Sequence, residues 1–199
     1  MKKLLLSILF LIQLGVYAQN RKLKDNFIVQ IREEHGDLNK DRLIDKVVVT
    51  MDTIDATVPL RLQVFFAQPG KKFKLIASST KIIEAQYPAN KNGKHNGNQI
   101  PDFNIEKGIL TIRTEVEGGH AEHKFKFQNG HFNLIYVSII NYDGKNTTTE
   151  KNFNLVTGER NEKIQELGSD KFLIKSKNKI IIRPLPQLQN IKPFEKEYF

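Results

Sequence analysis

Four oxygen-bearing side chains stand at odd-numbered positions in the segment GDLNKDRLIDKVVV. Asp37, Asn39, Asp41 and Asp45 occupy positions 1, 3, 5 and 9 of a loop in which Leu43 is at position 7. Ca²⁺ takes roughly six to eight oxygen ligands, which alternate side chains on a tight loop and one backbone carbonyl can supply. The spacing therefore predicts a calcium-binding turn whose ligands are these four side chains and the Leu43 carbonyl oxygen.

The loop departs from an EF-hand in two places. Position 6 is Arg42 instead of glycine, and a left-handed backbone there costs a non-glycine residue about 1–2 kcal/mol. Position 12 is Val48 instead of a bidentate glutamate, and the run KVVVT is typical of a strand. We therefore expect weak binding, in the range of about 10⁻⁴ to 10⁻³ M found in extracellular modules. The alternative is a polar turn that holds its own backbone without a metal.

No other group of residues indicates catalysis. His120 and His123 lie three positions apart on a predicted strand, so they point to opposite faces and cannot share one metal ion. The sequence has no cysteine, which excludes thiol chemistry, and none of its serines lies in a GxSxG turn. A pair of carboxylates that meets only in the fold remains an open alternative.

The N-terminus has the order of a secretory signal peptide. Two lysines precede an apolar stretch from Leu4 to Val16, and the small residue Ala18 follows shortly after it. The stretch is shorter than the roughly 20 apolar residues of a membrane-spanning helix. We predict that residues 1–18 are removed, and that the mature chain is periplasmic or secreted and not embedded in a membrane.

The mature chain is cationic. The formal net charge is +9 at pH 7, and removal of Lys2 and Lys3 with the signal peptide leaves +7. A positive surface favours acidic partners, which at the cell envelope means an acidic ligand or an acidic protein. Charge does not choose between them, and it leaves the oligomeric state open.

Lysines also alternate with aromatic residues, in KFKL at residues 72–75 and in HKFKFQ at residues 123–128. On a strand, successive side chains point to opposite faces, so the two residue types separate. A nucleic-acid platform needs aromatic and basic side chains on one wet face. We therefore expect phenylalanines in the core, lysines in water and no nucleic-acid binding.

Period-two alternation dominates the chain and predicts a mainly β fold, an antiparallel sheet of meanders and hairpins in one compact domain with few helices. We place the domain at residues 19–183 and a proline-containing tail at 184–199.

The segment 85–104 is the longest irregular stretch, and we interpret it as disordered. Asn129-Gly130 predicts a tight hairpin turn, and a last turn is placed near Lys177-Asn178. The predicted strands are 26–33, 46–51, 60–67, 72–77, 109–116, 120–128, 131–141, 148–156 and 159–165.

The loop resembles the DxNxDxxxD loops of FG-GAP and VCBS-type β repeats, in which calcium lies in the turn that leads into a strand. The pieces GDLNKDRLIDKVVV, KGILTIRTEV, HKFKFQNGHFNLIYV and FNLVTGER resemble, in this order, a family of exported bacterial β proteins of uncharacterised function, of Bacteroidota type. The resemblance implies an exported β domain with one calcium loop, and it implies no enzymatic activity.

These observations lead us to expect a binding or structural module at the cell envelope that carries a weak Ca²⁺-binding turn. Two alternatives are an envelope hydrolase with an unrecognised carboxylate pair and an inhibitor of a secreted enzyme. A deep pocket holding two carboxylates with oppositely shifted pKa values would favour the hydrolase. A flat basic face would favour the binding module.

Overall fold

The computed structural model describes residues 25–89, 92–95, 100–116 and 118–191, so the predicted signal peptide lies outside the described residues. The described residues contain no α-helix, and the predicted mainly β, antiparallel fold is confirmed. None of them forms a helix of the length and apolar character that a membrane crossing requires. The strands are β1 (Phe27–Gly36), β2 (Asp45–Asp52), β3 (Leu60–Gln68), β4 (Lys72–Ser79), β5 (Asp102–Glu106), β6 (Ile109–Val116), β7 (Gly119–Gln128), β8 (His131–Tyr142), β9 (Thr147–Asn154), β10 (Glu159–Glu166) and β11 (Phe172–Lys179).

The strands form two antiparallel sheets in which neighbours in sequence are neighbours in space. The smaller sheet has the order β1-β2-β3-β4, and the larger sheet has the order β11-β10-β9-β8-β7-β6-β5. Such a meander needs only short turns, and the Asn129-Gly130 turn has the positive φ angles that a tight hairpin requires (54° and 83°).

One hydrophobic core joins the two sheets. In β3 every second side chain is buried, and β7 and β8 supply the facing residues from the larger sheet. Phe66 of the smaller sheet meets Phe127 and Phe132 of the larger sheet edge to face, with ring centroids 4.8 and 6.0 Å apart. The fully buried hydrophobic side chains (0% exposed) are Leu60, Leu62, Val64, Ile82, Leu110, Ile112, Phe125, Phe132, Leu134, Leu155 and Leu188.

Strands β9, β10 and β11 extend the larger sheet beyond this core. Only Phe153 is buried in β9, no residue of β10 is buried, and every residue of β11 is exposed. Both faces of this part of the sheet are therefore partly wet, which explains its polar sequence. Cross-strand ion pairs join its strands, at 3.3 Å for Lys151–Glu162, 3.5 Å for Lys163–Glu150 and 2.8 Å for Lys177–Glu159.

The chain beyond β11 crosses the domain alongside the first half of β8. The Arg183 guanidinium donates to the Leu155 and Val156 carbonyls, at 2.9 and 2.7 Å. Farther on, the Leu134 amide donates to the Pro186 carbonyl and the Leu188 amide to the Phe132 carbonyl. Leu188 and Ile191 are buried, so residues 186–191 complete the core.

Two expectations about strands differ from the structure. The turn placed near Lys177-Asn178 is wrong, because both residues lie inside β11, opposite Asn161 and Arg160 of β10. Strand β5 was not predicted, since its first residues belong to a segment interpreted as irregular. In the described part of that segment, the Gln86 and Tyr87 amides donate to the Val58 and Thr57 carbonyls, at 3.2 and 3.0 Å.

The prediction that both KFKL and HKFKFQ bury their phenylalanines holds only for the second. Phe125 is fully buried and Phe127 packs against the core, whereas Phe73 is 46% exposed and Leu75 is 47% exposed. The cause is a register shift: Val64 pairs with Ala77 but Phe65 pairs with Leu75, so Ile76 is an extra residue. Such a bulge reverses the alternation and turns the first half of β4 outward.

His123 is a polar side chain inside the core, on the β7 face that also carries Phe125. It is 2% exposed, and its Nδ1 atom has no hydrogen-bond partner among the described residues. Burial lowers the pKa of His123 to about 4, because the protonated ring would be a buried charge.

The lowered pKa of His123 predicts acid sensitivity. The unfolded chain binds a proton at this ring below its ordinary pKa of 6.5, and the folded chain does so only near 4. Stability is therefore lost as the pH falls between these values, by about 3 kcal/mol from this group, with no effect above pH 7. We expect His123→Leu to flatten the pH dependence of the unfolding free energy, measured by urea denaturation between pH 4 and 7. The control His120→Leu should keep the slope, and parallel curves for wild type and His123→Leu would contradict the assignment.

Candidate metal site

The candidate loop, residues 37–44, joins β1 to β2 at one end of the smaller sheet. Gly36 and Asp45 pair directly at the base of the loop. Glycine is required before the loop because the β5 residue Ile105 lies against it: a β-carbon on Gly36 would be 2.7 Å from the Ile105 β-carbon. The loop is thus fixed to both sheets at its start.

Asp37 organises the first half of the loop. Its Oδ1 atom accepts the Lys40 amide at 2.6 Å and the Asp41 amide at 3.2 Å, and its Oδ2 atom accepts the Arg42 amide at 3.0 Å. Three consecutive backbone amides therefore point at one carboxylate. Asp37 thus holds the turn through hydrogen bonds from the backbone of the loop itself.

The side chains of Asn39 and Asp41 also accept backbone amides, each from the residue two positions later. The Asp41 amide donates to the Asn39 side-chain oxygen at 3.0 Å, and the Leu43 amide donates to Asp41 Oδ1 at 2.8 Å. The Asn39 side-chain amide donates to Asp41 Oδ2 at 2.8 Å. The Leu43 carbonyl oxygen, the expected fifth ligand, accepts no backbone hydrogen bond from the described residues.

Asp45 differs from the other carboxylates because it is fully buried (0% exposed). Its Oδ2 atom accepts the Leu38 amide at 2.8 Å and its Oδ1 atom accepts the Ala67 amide at 2.9 Å. One side chain therefore joins the loop to the end of β3. The sequence motif gave no sign of Ala67 as a partner, since 22 residues separate it from Asp45.

The backbone of the loop has the conformation that the calcium motif requires of a glycine. Arg42 has a φ angle of 71° and Lys40 has a φ angle of 65°. Both are in the left-handed region, which costs a non-glycine residue about 1–2 kcal/mol. The hydrogen bonds to Asp37 hold both residues there. The turn at position 6 is thus formed despite the arginine.

The negative charge of the loop has no cationic partner within the part of the chain that the structure describes. Among the described residues, no ion pair includes Asp37, Asp41 or Asp45. Burial raises the pKa of Asp45, and the nearby Asp41 carboxylate raises it further, against the lowering effect of the donated amides. Since both causes penalise the ionised form, a cation bound beside Asp45 would relieve the penalty.

The donor set fits a hard cation in chemistry and order. Three carboxylates, one amide oxygen and one carbonyl would hold Ca²⁺, and a carboxylate oxygen that accepts one amide proton keeps a lone pair for a metal. Within the described residues, no three His, Asp or Glu side chains already converge in the manner of a metal site. Binding would therefore require the Asp37, Asp41 and Asp45 oxygens to turn toward one centre.

The surface also has an open depression, which is lined by one carboxylate. Thr157, Glu159, Lys177, Asn178 and Lys179 line an open depression of about 370 Å³ between β10 and β11. It contains a single carboxylate, and the hydrogen bond from Lys177 lowers the pKa of Glu159. This depression has no second carboxylate for general acid and base chemistry.

Replacement of Asp45 by alanine should destabilise the protein strongly. It leaves the Leu38 and Ala67 amides without their acceptor, at a cost of about 2–4 kcal/mol in the unfolding free energy. Asp41→Ala removes an exposed carboxylate of the same loop and should cost about 1 kcal/mol or less. Urea denaturation in EDTA measures both variants without metal. Equal losses would show that Asp45 has no special structural role.

Comparison of the chain with protein-family models, with curated proteins and with solved structures finds no match. A function is therefore inferred from the chemistry and geometry of the chain itself.

Proposed function

We propose that the mature chain is an exported β module whose Asp37–Asp45 loop binds Ca²⁺ weakly, and which binds an acidic ligand or protein at the cell envelope. One observation carries the proposal: the loop contains three carboxylates that make no ion pair with a described residue, and one of them, Asp45, is fully buried. Membership of the exported Bacteroidota-type β proteins is part of the same proposal, and the sequence motifs support it.

In this proposal Ca²⁺ has a structural role. Asp45 already joins the loop to β3 through the Leu38 and Ala67 amides. A divalent cation shared by Asp37, Asp41 and Asp45 would offset their mutual repulsion and hold the end of β1 against the start of β2. Weak affinity is sufficient outside the cytoplasm, where modules of this kind work at about 10⁻⁴ to 10⁻³ M.

The acidic partner is proposed from charge. The mature chain carries a formal +7 after loss of the predicted signal peptide, and a cationic surface attracts anionic partners at long range. The hydrolase alternative gains no support from the described depression, which contains one carboxylate. No described feature favours an inhibitor.

Calcium should raise the thermal stability of the mature protein. At 10 mM Ca²⁺ and a dissociation constant of about 0.1–1 mM, mass action adds about 1–3 kcal/mol, or a rise of about 3–10 °C in Tm. Asp41→Ala should lose most of this rise, because it removes a ligand without removing the buried contacts of Asp45. The measurement is a set of thermal melts in Ca²⁺, in Mg²⁺ and in EDTA.

Asp143→Ala is the matched control. Asp143 also accepts several backbone amides in an exposed turn, from Lys145, Asn146 and Thr147, and these bonds lower its pKa to about 2. Its turn lacks the further carboxylates, so the variant should be destabilised and still respond to calcium. Identical midpoints with Ca²⁺ and with EDTA in the wild type would refute the calcium proposal.

A further inference from the structure

The bulge in β4 creates an exposed apolar surface on the outer face of the smaller sheet. Opposite the bulge, Phe65 pairs with Leu75 and Ala67 pairs with Phe73, so all four side chains share that face. Phe73 and Leu75 are each nearly half exposed. A bulge that aims two apolar side chains at water, when regular alternation would bury them, indicates a binding surface.

A lysine covers part of these rings. The Lys46 ammonium lies 4.7 Å from the Phe73 ring centroid and 5.6 Å from the Phe65 ring centroid. Lys46 pairs with Phe65 across the sheet, so its charge is on the same outer face. One lysine, which also pairs with Glu33 at 3.8 Å, therefore shares this wet face with the rings. Lys72 and Lys74 of KFKL point to the other face, as the alternation predicts.

Three further lysines lie at the exposed end of β4: Lys71 in the preceding turn, and Lys72 and Lys74 on the face of β4 opposite to Phe73 and Leu75. Lys71, Lys72 and Lys74 are all exposed, and none of them makes an ion pair with a described residue. On the larger sheet, by contrast, several outward lysines are paired with glutamates across or along strands. The positive charge at the β3–β4 turn is thus available to a partner.

The calcium loop lies at the same end of the sheet. Gly36 ends β1, Asp45 begins β2, Gln68 ends β3 and Lys72 begins β4, and their pairing places these four positions side by side. The hydrogen bond from the Ala67 amide to Asp45 joins the end of β3 to the start of β2. Ile44, in the calcium loop, is 57% exposed and adds a further apolar side chain.

We propose that this end of the domain docks on an anionic lipid surface. Phe73, Leu75 and Ile44 would enter the boundary between headgroups and acyl chains, and Lys71, Lys72 and Lys74 would meet the headgroup phosphates. A soluble polyanion would use the lysines but would gain nothing from the exposed apolar side chains, so the combination favours a bilayer. The inference deepens the proposed function, on which it rests, because it names the acidic partner.

Vesicle sedimentation tests the proposal. The mature protein should sediment with vesicles containing phosphatidylglycerol and should stay in solution with pure phosphatidylcholine vesicles. The variant K71Q/K72Q/K74Q should bind anionic vesicles at least tenfold more weakly, since each lysine near the surface contributes to attraction. The variant F73S/L75S should lose a similar factor and should keep the salt dependence of the wild type, because its lysines remain.

The control is K171Q/K175Q/K179Q, which removes the same charge from β11 and the turn before it, in the other sheet. It should retain vesicle binding, and circular dichroism should show that every variant is folded. Equal loss in the control, or no binding to anionic vesicles, would overturn the lipid surface. A second result would also overturn the lipid proposal: no binding to vesicles, together with binding to dextran sulfate that persists in F73S/L75S. That result would identify a soluble polyanion as the partner. Thermal melts in Ca²⁺ and in EDTA test the proposed function separately, because they involve no lipid.

Discussion

A single buried carboxylate connects the parts of this molecule that bear on function. Asp45 receives one amide from the loop that precedes it and one from the far end of β3, at 2.8 and 2.9 Å. Asp45 is fully buried, so loss of its carboxylate would leave two amides without an acceptor. The loop at Leu38 and the end of β3 at Ala67 are both held by this side chain. Its charge is also what a cation would neutralise.

The fold was largely predictable because period-two alternation reports which face of a strand is buried. That signal is strong in β3 and β7, where buried and wetter residues alternate along the strand. It is weak in β5, which is short, and in β11, where every residue is exposed and the pairing with β10 determines the strand. This weakness explains the wrong placement of a turn at Lys177-Asn178. Because neither face of β11 is buried, its sequence lacks the alternation of buried and exposed residues that would have shown the strand continuing through these two positions.

The residues of the candidate site could be named from the sequence, but the contacts that hold them could not. Asp37, Asn39, Asp41 and Asp45 are visible as a spacing, whereas the Ala67 amide is brought to Asp45 only by the pairing of β2 with β3. The outward turn of Phe73 is equally hidden, because a bulge depends on the register between two strands. Both features require tertiary contacts that a single strand does not encode. Together they place a proposed cation site and an apolar, lysine-rich surface at one end of the smaller sheet.

Calcium titration calorimetry of the chain without residues 1–18 decides whether the acidic loop is a cation site. If it is, about one Ca²⁺ per chain should bind saturably, with a dissociation constant of about 10⁻⁴ to 10⁻³ M, and Asp41→Ala should lose this binding. Absence of binding heat in both proteins at several temperatures, with no change in the loop amide resonances on addition of calcium, would contradict it. The loop would then be a polar turn held by its own backbone.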